Sequence, residues 1–396
     1  MHYFIYSTAD SWISSGSSHI TDESFRDENF GQDQILELKK EYFNNSFDYE
    51  TRVLINFAGS DFNKISQSVV DGDIPHASTG LTKYYLRLYE AEGNKELSSD
   101  YEIQAFPLSQ SWDEGTGRFG DNPKITNGVS WENRNYPAGG NAVTWSTSGP
   151  DGADVARHGG YIMTGSGLEA SQSFSYASPD IELEVTNIVD KWLTNSASNN
   201  GFLIRFSSSA SPAIIKRSGA PDSGLTGSFG NLKFFSRHTH TIYSPKLEVR
   251  WDDHIACSGS NTGSLTELTM SGGADNYLYM IGLRESYRED EKVRFRVGAR
   301  KRYIQKSFSS AVHTVSSSFI SEDSGSYSIL DVATGETVVP FSGYTSMSCD
   351  STSNYFTQWM NTFEPDRAYK ILYKLKYDDG QEQIVDNNFE FIVKRK

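Results

Sequence analysis

A chain of 396 residues has room for two or three domains, each with a sizeable core. Its formal net charge of -15 argues against a general nucleic-acid binder, which carries the opposite sign. No run reaches the ~18 apolar residues of a membrane span, and the Ser, Gly, Asn, Tyr and Phe content is that of a β protein with many turns.

Met1 to Ser14 alternates apolar and polar residues and then turns polar, and its start, Met1 to Ser7, reads as the first strand. It has no basic segment followed by an apolar one, so the expectation is a protein without a signal peptide, made in a cytoplasm. Glu28-Asn29-Phe30-Gly31 is a turn, followed by a strand at Gln34 to Lys39. Arg52 to Phe57, Tyr84 to Tyr89 (Leu86 and Leu88 on one side) and Tyr101 to Pro107 read as further strands. A long Gly- and Asn-rich excursion follows. It contains Trp112-Asp113-Glu114-Gly115, Gly128 to Trp131, Trp145 and a Gly149-Pro150-Asp151-Gly152 turn. Loops of this length are usually functional or internally packed.

Val185, Ile188, Val189 and Trp192 then recur at i, i+3, i+4 and i+7, the spacing of one helical face. Thr186 or Asn187 is placed to cap the first turn. Asn199-Asn200-Gly201 stops the helix, and Phe202, Ile204 and Phe206 alternate with Leu203 and Arg205 as a strand. Asn231 to Arg237 and Pro245 to Trp251 complete the first domain, with Trp192 expected to plug one end of a sandwich.

Taken in order, these elements resemble the DNRLRE family: Asn29-Phe30-Gly31, the Arg52 to Phe57 strand, Trp112-Asp113-Glu114-Gly115, Gly128 to Trp131, Trp145 with the Gly-Pro-Asp-Gly turn, the Val185 to Trp192 helix, Asn200-Gly201-Phe202 and Pro245 to Val249. The resemblance spans roughly residues 1–252. It implies a carbohydrate-binding-like jelly-roll β-sandwich of the kind found in extracellular and surface proteins. The shared residues are scaffold, so they imply no ligand.

Residues 253–264 lose periodicity and read as a linker. Strands are expected at Leu265–Met270, Asn276–Leu283, Lys292–Val297, Gly325–Val332, Thr337–Phe341, Asn354–Phe363, Tyr369–Tyr377 and Asn388–Lys394, with a hairpin turn at Asp378-Asp379-Gly380. That spacing predicts an immunoglobulin-like sandwich over 265–396. Arg294–Tyr303 and the return through Phe363-Glu364-Pro365 to Tyr369-Lys370-Ile371 resemble the all-β domains that end tailed-phage structural proteins. The expected fold is therefore all-β: a jelly-roll sandwich with one short helix, then an Ig-like sandwich.

Several residues could carry chemistry. Asp113, Glu114 and Asp121, with Gly115, Gly117 and Gly120, offer oxygens on a bending loop suited to Ca²⁺. The favoured reading is that the acids cap local turns while Trp112 and Trp131 fill the core. Asp113 and Glu132 are a nominal carboxylate pair for glycoside hydrolysis, but a chain with 51 acids always offers one. His238 and His240 would share a face of a strand, more readily exposed than metal-ligating. Arg294, Arg296, Arg300, Lys301 and Arg302 form a basic stripe, with Arg294 and Arg296 on one side of a strand. Docking on an acidic neighbouring subunit and a solvated strand face weigh evenly there, with single-stranded nucleic acid a poor third. Cys257 and Cys349 are expected as free buried thiols rather than a bridge. No phosphate loop, nucleophile elbow, zinc signature or redox motif occurs, so no catalytic, cofactor-binding or metal residue is assigned and no cofactor is expected.

A sandwich of extracellular type without an export signal, followed by a second sandwich, fits a bacteriophage virion structural protein of the neck, tail, baseplate or capsid decoration. Such a protein is made in the host cytoplasm and released by lysis. Its expected partners are other virion proteins and copies of itself in a symmetric oligomer, with no nucleic acid and no membrane insertion. The alternative is a glycan-binding adhesin that uses the jelly-roll domain, its exposed aromatics stacking on sugar faces.

Overall fold

The computed structural model describes residues 1–16, 23–43, 46–93, 102–145, 159–173, 180–207, 227–271, 275–303, 308, 310 and 316–396. The fold is an all-β sandwich fold, with two α-helices among the described residues. The chain forms two compact units, Ile5–Glu248 and Met1–Phe4 with Val249–Lys396. The expected first domain, 1–252, thus differs at both ends, because the boundary cuts the strands His2–Tyr6 and Lys246–Trp251.

In residues 5–248 the larger sheet runs Ala170–Ser173, Glu102–Pro107, Phe202–Phe206, Ser46–Asn56, Ile35–Phe43, Gly227–Phe235 and Glu90–Gly93, with Ala9–Ser14 paired to the far half of Ser46–Asn56. Thr82–Leu88 pairs antiparallel with Ile181–Glu184 in the other sheet. Thr82, Tyr84, Leu86 and Leu88 are buried while Lys83, Tyr85 and Arg87 are half-exposed, the alternation of a strand with one face in a core. Phe202–Phe206 differs: Leu203 is as buried as Phe202 and Ile204. The reason is the excursion. Trp112, Val129, Trp131, Trp145 and Ile162 pack with Ile13, Leu54, Phe106 and Leu203 in one apolar cluster. The loop therefore covers the second face of the sheet and is internally packed. The Gly149–Gly152 turn lies outside the described residues.

The expected helix forms at Thr186–Leu193 and buries Ile188, Val189 and Trp192. Its first turn has no side-chain cap. Thr186 Oγ1 instead accepts from the Tyr84 backbone N–H at 3.1 Å. The expectation of one helix is corrected by a second, Gly59–Val70, which buries only Phe62 and Ile65. Its stripe is too sparse to read as a helix alone, and Phe62 meets Trp192 edge-on at 5.6 Å. Trp192 also packs on Phe202 at 4.7 Å.

In the other unit, one sheet runs Thr266–Glu267, Ser318–Phe319, Lys292–Lys301, Asn354–Trp359 and Ser348–Cys349, with Asn276–Ile281 also on Lys292–Lys301. The facing sheet runs Ser286–Arg288, Glu382–Lys394, Arg367–Lys376, Gly325–Asp331 and Thr337–Val339. Both contribute to one core, in which Tyr327 stacks on Phe356 at 3.7 Å. The turn at Asp378-Asp379-Gly380 joins Arg367–Lys376 to Glu382–Lys394, as expected, with Gly380 N–H donating to Tyr377 O at 2.9 Å. Met1–Phe4 belongs here too: Gln358 Nε2 donates to His2 O at 2.9 Å and Asn361 Nδ2 to Tyr3 Oη at 2.7 Å.

Residues 253–264, expected as a linker, are tied into this unit. Ile255 N–H donates to Ser348 Oγ at 3.0 Å and Cys257 N–H to Glu322 Oε2 at 2.7 Å. Cys257 and Cys349 are not free thiols but a disulfide, with Cα atoms 5.3 Å apart. Those backbone bonds carry Cys257 alongside the strand that holds Cys349, a proximity invisible across 92 residues of sequence.

Candidate functional site

Among the described residues, one group of His and acidic side chains converges closely enough to hold a metal ion, and it lies in the 5–248 unit. There Asp10, Glu114 and His238 each bring a possible ligand atom within 4.8 Å of the others. Three separate segments deliver them. Asp10 sits in the strand Ala9–Ser14, Glu114 in the excursion and His238 in a single 3-10 turn, Arg237–Thr239.

Asn29 positions Glu114. It is fully buried, and its Nδ2 donates to Glu114 O and Val129 O at 2.7 Å each. Its Oδ1 accepts from Gly117 N–H at 2.8 Å and Gly31 N–H at 3.2 Å. One side chain thus satisfies four backbone groups of two loops. A Cβ at Gly31 would lie 1.9 Å from Glu114 O, and one at Gly117 would lie 2.2 Å from Asn29 O. Gly31 and Gly117 thus serve close backbone approach around Asn29, while Gly115 and Gly120 take the left-handed backbone of a bend, with φ 82° and 87°.

The acids follow suit. Glu114 was expected to cap a local turn. Its Oε1 instead accepts from Asp10 N–H at 2.9 Å, and Arg237 grips it with Nε at 2.8 Å to Oε1 and Nη2 at 2.9 Å to Oε2. His238 Nε2 lies 3.2 Å from the same Oε1. Asp121 accepts from Arg118 N–H at 2.8 Å across its own turn, and Asp113 is exposed. Glu132 pairs with Arg26 at 3.1 Å. The three acids of the proposed cation loop therefore do not converge, nor does either member of the nominal glycosidase pair join the cluster.

His238 and His240 do not share a strand face. Ser236 Oγ accepts from His238 N–H at 3.1 Å and caps the turn that ends the strand Gly227–Phe235, and His240 adopts a left-handed backbone with φ 52°. His238 faces Glu114, and His240 is exposed.

Nothing in the local sequence marks out Asp10. Its Oδ2 accepts from Arg237 N–H at 2.8 Å, while its buried Oδ1 has no hydrogen-bond partner among the described residues. Burial pushes its pKa up to about 7, and the Glu114 carboxylate beside it pushes in the same direction. The Arg237 guanidinium already fills the position of positive charge against Glu114, so the donor set fits a structural ion pair better than a metal.

The basic stripe is in the other unit. Arg294, Arg296 and Arg300 lie on one face of Lys292–Lys301, opposite the buried Val293, Phe295 and Val297. All seven tryptophans are described. Six are buried, and the seventh, Trp359, carries Lys292 Nζ 4.7 Å above its ring.

No family model and no curated protein matches the chain. Among solved structures it is similar to the adhesin domain of Epf from Streptococcus pyogenes, at 7% identity and a TM-score of 0.16, covering 100% of this chain and 91% of that one. A likeness this slight carries no argument about fold or function. No helix among the described residues is long and apolar enough to cross a membrane.

Proposed function

We propose that the chain is a non-enzymatic structural protein of a bacteriophage virion, placed in the neck, tail, baseplate or capsid decoration and acting by protein–protein assembly. The reading rests on the family resemblances of its two parts and on one surface. That surface is the outward face of Lys292–Lys301, where arginines lie against tyrosines, a composition enriched at protein interfaces. The main cluster of acids and bases supports the same reading, since Glu114 is engaged in holding Asp10 and Arg237 in place. The adhesin alternative needs exposed aromatics to stack on sugar, and six of the tryptophans are buried, which leaves that role to tyrosines.

The test is mass spectrometry of purified particles, with electron microscopy to locate the chain. Detection at a fixed copy number and a repeated position is the expected result. Absence from particles, together with binding on a glycan array, would overturn the proposal in favour of the adhesin.

A further inference from the structure

Residues 292–321 carry seven Lys/Arg and no Asp/Glu, in a chain of net charge -15. The strand Lys292–Lys301 turns Arg294 and Arg300 outward. Its neighbour Asn276–Ile281 pairs so that Ile281 sits opposite Arg296, Tyr279 opposite Gly298 and Tyr277 opposite Arg300, all on that outer face. A Cβ at Gly298 would lie 2.3 Å from Tyr279 Cζ, so the glycine lets that ring lie flat across the sheet. Tyr277 is 37% exposed and Ile281 36%.

Part of this charge is already neutralised. Asp350 holds Arg296 through two bonds of 2.9 and 2.7 Å, and Asp275 lies 3.2 Å from Arg302. No carboxylate among the described residues pairs with Arg294, Arg300 or Lys301. The guanidinium of Arg294 lies 4.4 Å over Tyr355 and that of Arg300 4.8 Å over Tyr277. Such stacking holds both side chains along the sheet and lowers the ordering cost of binding. It also sets an arginine on one face of Tyr355 and one face of Tyr277. The exposed face is cationic and partly apolar, which suits an acidic protein surface.

Residues 5–248 carry 19 Lys/Arg against 31 Asp/Glu, whereas residues 249–396 carry 17 against 20. We propose that the outer face of the Asn276–Ile281 and Lys292–Lys301 strands docks on the acidic 5–248 unit of a second copy of this chain. The contact joins unlike surfaces, so it propagates head to tail and closes as a ring or runs on as a filament. This docking rests on the assembly function proposed above and names its partner.

The experiment is sedimentation velocity of the full chain over a concentration series at low and high salt. The expected result is association to multiples of 44.3 kDa that salt disperses. The double variant Arg294→Glu/Arg300→Glu should unfold at the wild-type temperature and associate more weakly by about tenfold or more. Mixed with wild type, it still offers its acidic unit and should shorten wild-type assemblies. If the reversed charges prevent folding, Arg294→Gln/Arg300→Gln provides the same comparison, and the wild-type salt series stands by itself. A chain monomeric at every concentration and salt overturns the docking, as does a folded double variant that assembles like wild type. Failure of the double variant to bind wild type overturns the head-to-tail arrangement. A monomer that binds hyaluronate or oligo-dT through the same arginines overturns it in favour of that polymer. Finding a monomer at fixed positions in purified particles would defeat the docking and leave the assembly function standing, whereas an oligomer absent from particles would do the reverse.

Discussion

Arg237 closes on Glu114 through two parallel hydrogen bonds, Nε to Oε1 at 2.8 Å and Nη2 to Oε2 at 2.9 Å, between residues 123 positions apart. The pair locks the end of the strand Gly227–Phe235 to the excursion that covers the sheet. Glu114 is largely buried, so removing its partner leaves a desolvated carboxylate. Arg237→Ala should destabilise the fold by about 2–3 kcal/mol in urea unfolding. Because the guanidinium supplies the positive charge there, Ca²⁺ or EDTA should leave the melting temperature of the wild-type protein unchanged.

Asp10 should make stability depend on pH. Burial raises its folded-state pKa to about 7, above the 3.8 of the free side chain. The folded state therefore holds the proton more tightly than the unfolded state. The resulting destabilisation is absent below about pH 4 and complete above about pH 7. Acidification through that window should gain at most about 4 kcal/mol from this group. Glu28, also pushed up to about 7 by burial, acts in the same direction. The difference between wild type and Asp10→Asn, measured by urea unfolding at pH 5 and pH 8, isolates Asp10. Equal pH dependence in the two proteins would contradict the assignment.

The contact between Phe62 and Trp192 should hold the two helices together. Each ring is buried, so Phe62→Ala or Trp192→Ala should cost about 3–5 kcal/mol. A double-mutant cycle should return a coupling near 1 kcal/mol, the usual value for an edge-on aromatic pair.

Asn29 should tolerate no replacement. Asn29→Asp keeps the acceptor for Gly31 and Gly117 but loses the amide that donates to Glu114 O and Val129 O. It also brings a buried charge toward two carbonyl oxygens. We expect a loss of about 3 kcal/mol or more, seen as a lower urea midpoint.

The disulfide should matter to the 249–396 unit. It closes a loop across 92 residues, for which chain entropy predicts about 4–5 kcal/mol. Unfolding in the presence of a reductant, or of Cys257→Ser/Cys349→Ser, should shift by an amount of that order. No shift would mean that the hydrogen bonds of Ile255 and Cys257 hold the segment without the bridge.

The local patterns of this chain determined a good deal. Alternation placed the strands Thr82–Leu88, Phe202–Phe206 and Lys292–Lys301, and the i, i+3, i+4, i+7 spacing placed the helix at Thr186–Leu193. It also put Arg294 and Arg296 on one face, because side-chain direction in a strand depends only on parity. What the tertiary structure decided involves long separations in sequence. Gly59–Val70 has too few apolar residues to read as a helix until Phe62 meets Trp192. His238 looked like half of a strand pair, but Ser236 caps a turn that sends it to Glu114. Asp10, an ordinary strand aspartate in sequence, is buried by residues more than a hundred and two hundred positions away. Cys257 meets Cys349 only once the segment after the first sandwich is hydrogen-bonded to Ser348 and Glu322. Propensity and periodicity act over one element, whereas burial, ion pairing and cross-linking depend on which elements the fold brings together. For that reason the longer, strongly patterned strands were legible in the sequence, whereas the short Glu90–Gly93, Ala170–Ser173 and Ile181–Glu184 and the Asp10–Glu114–Arg237–His238 cluster were not.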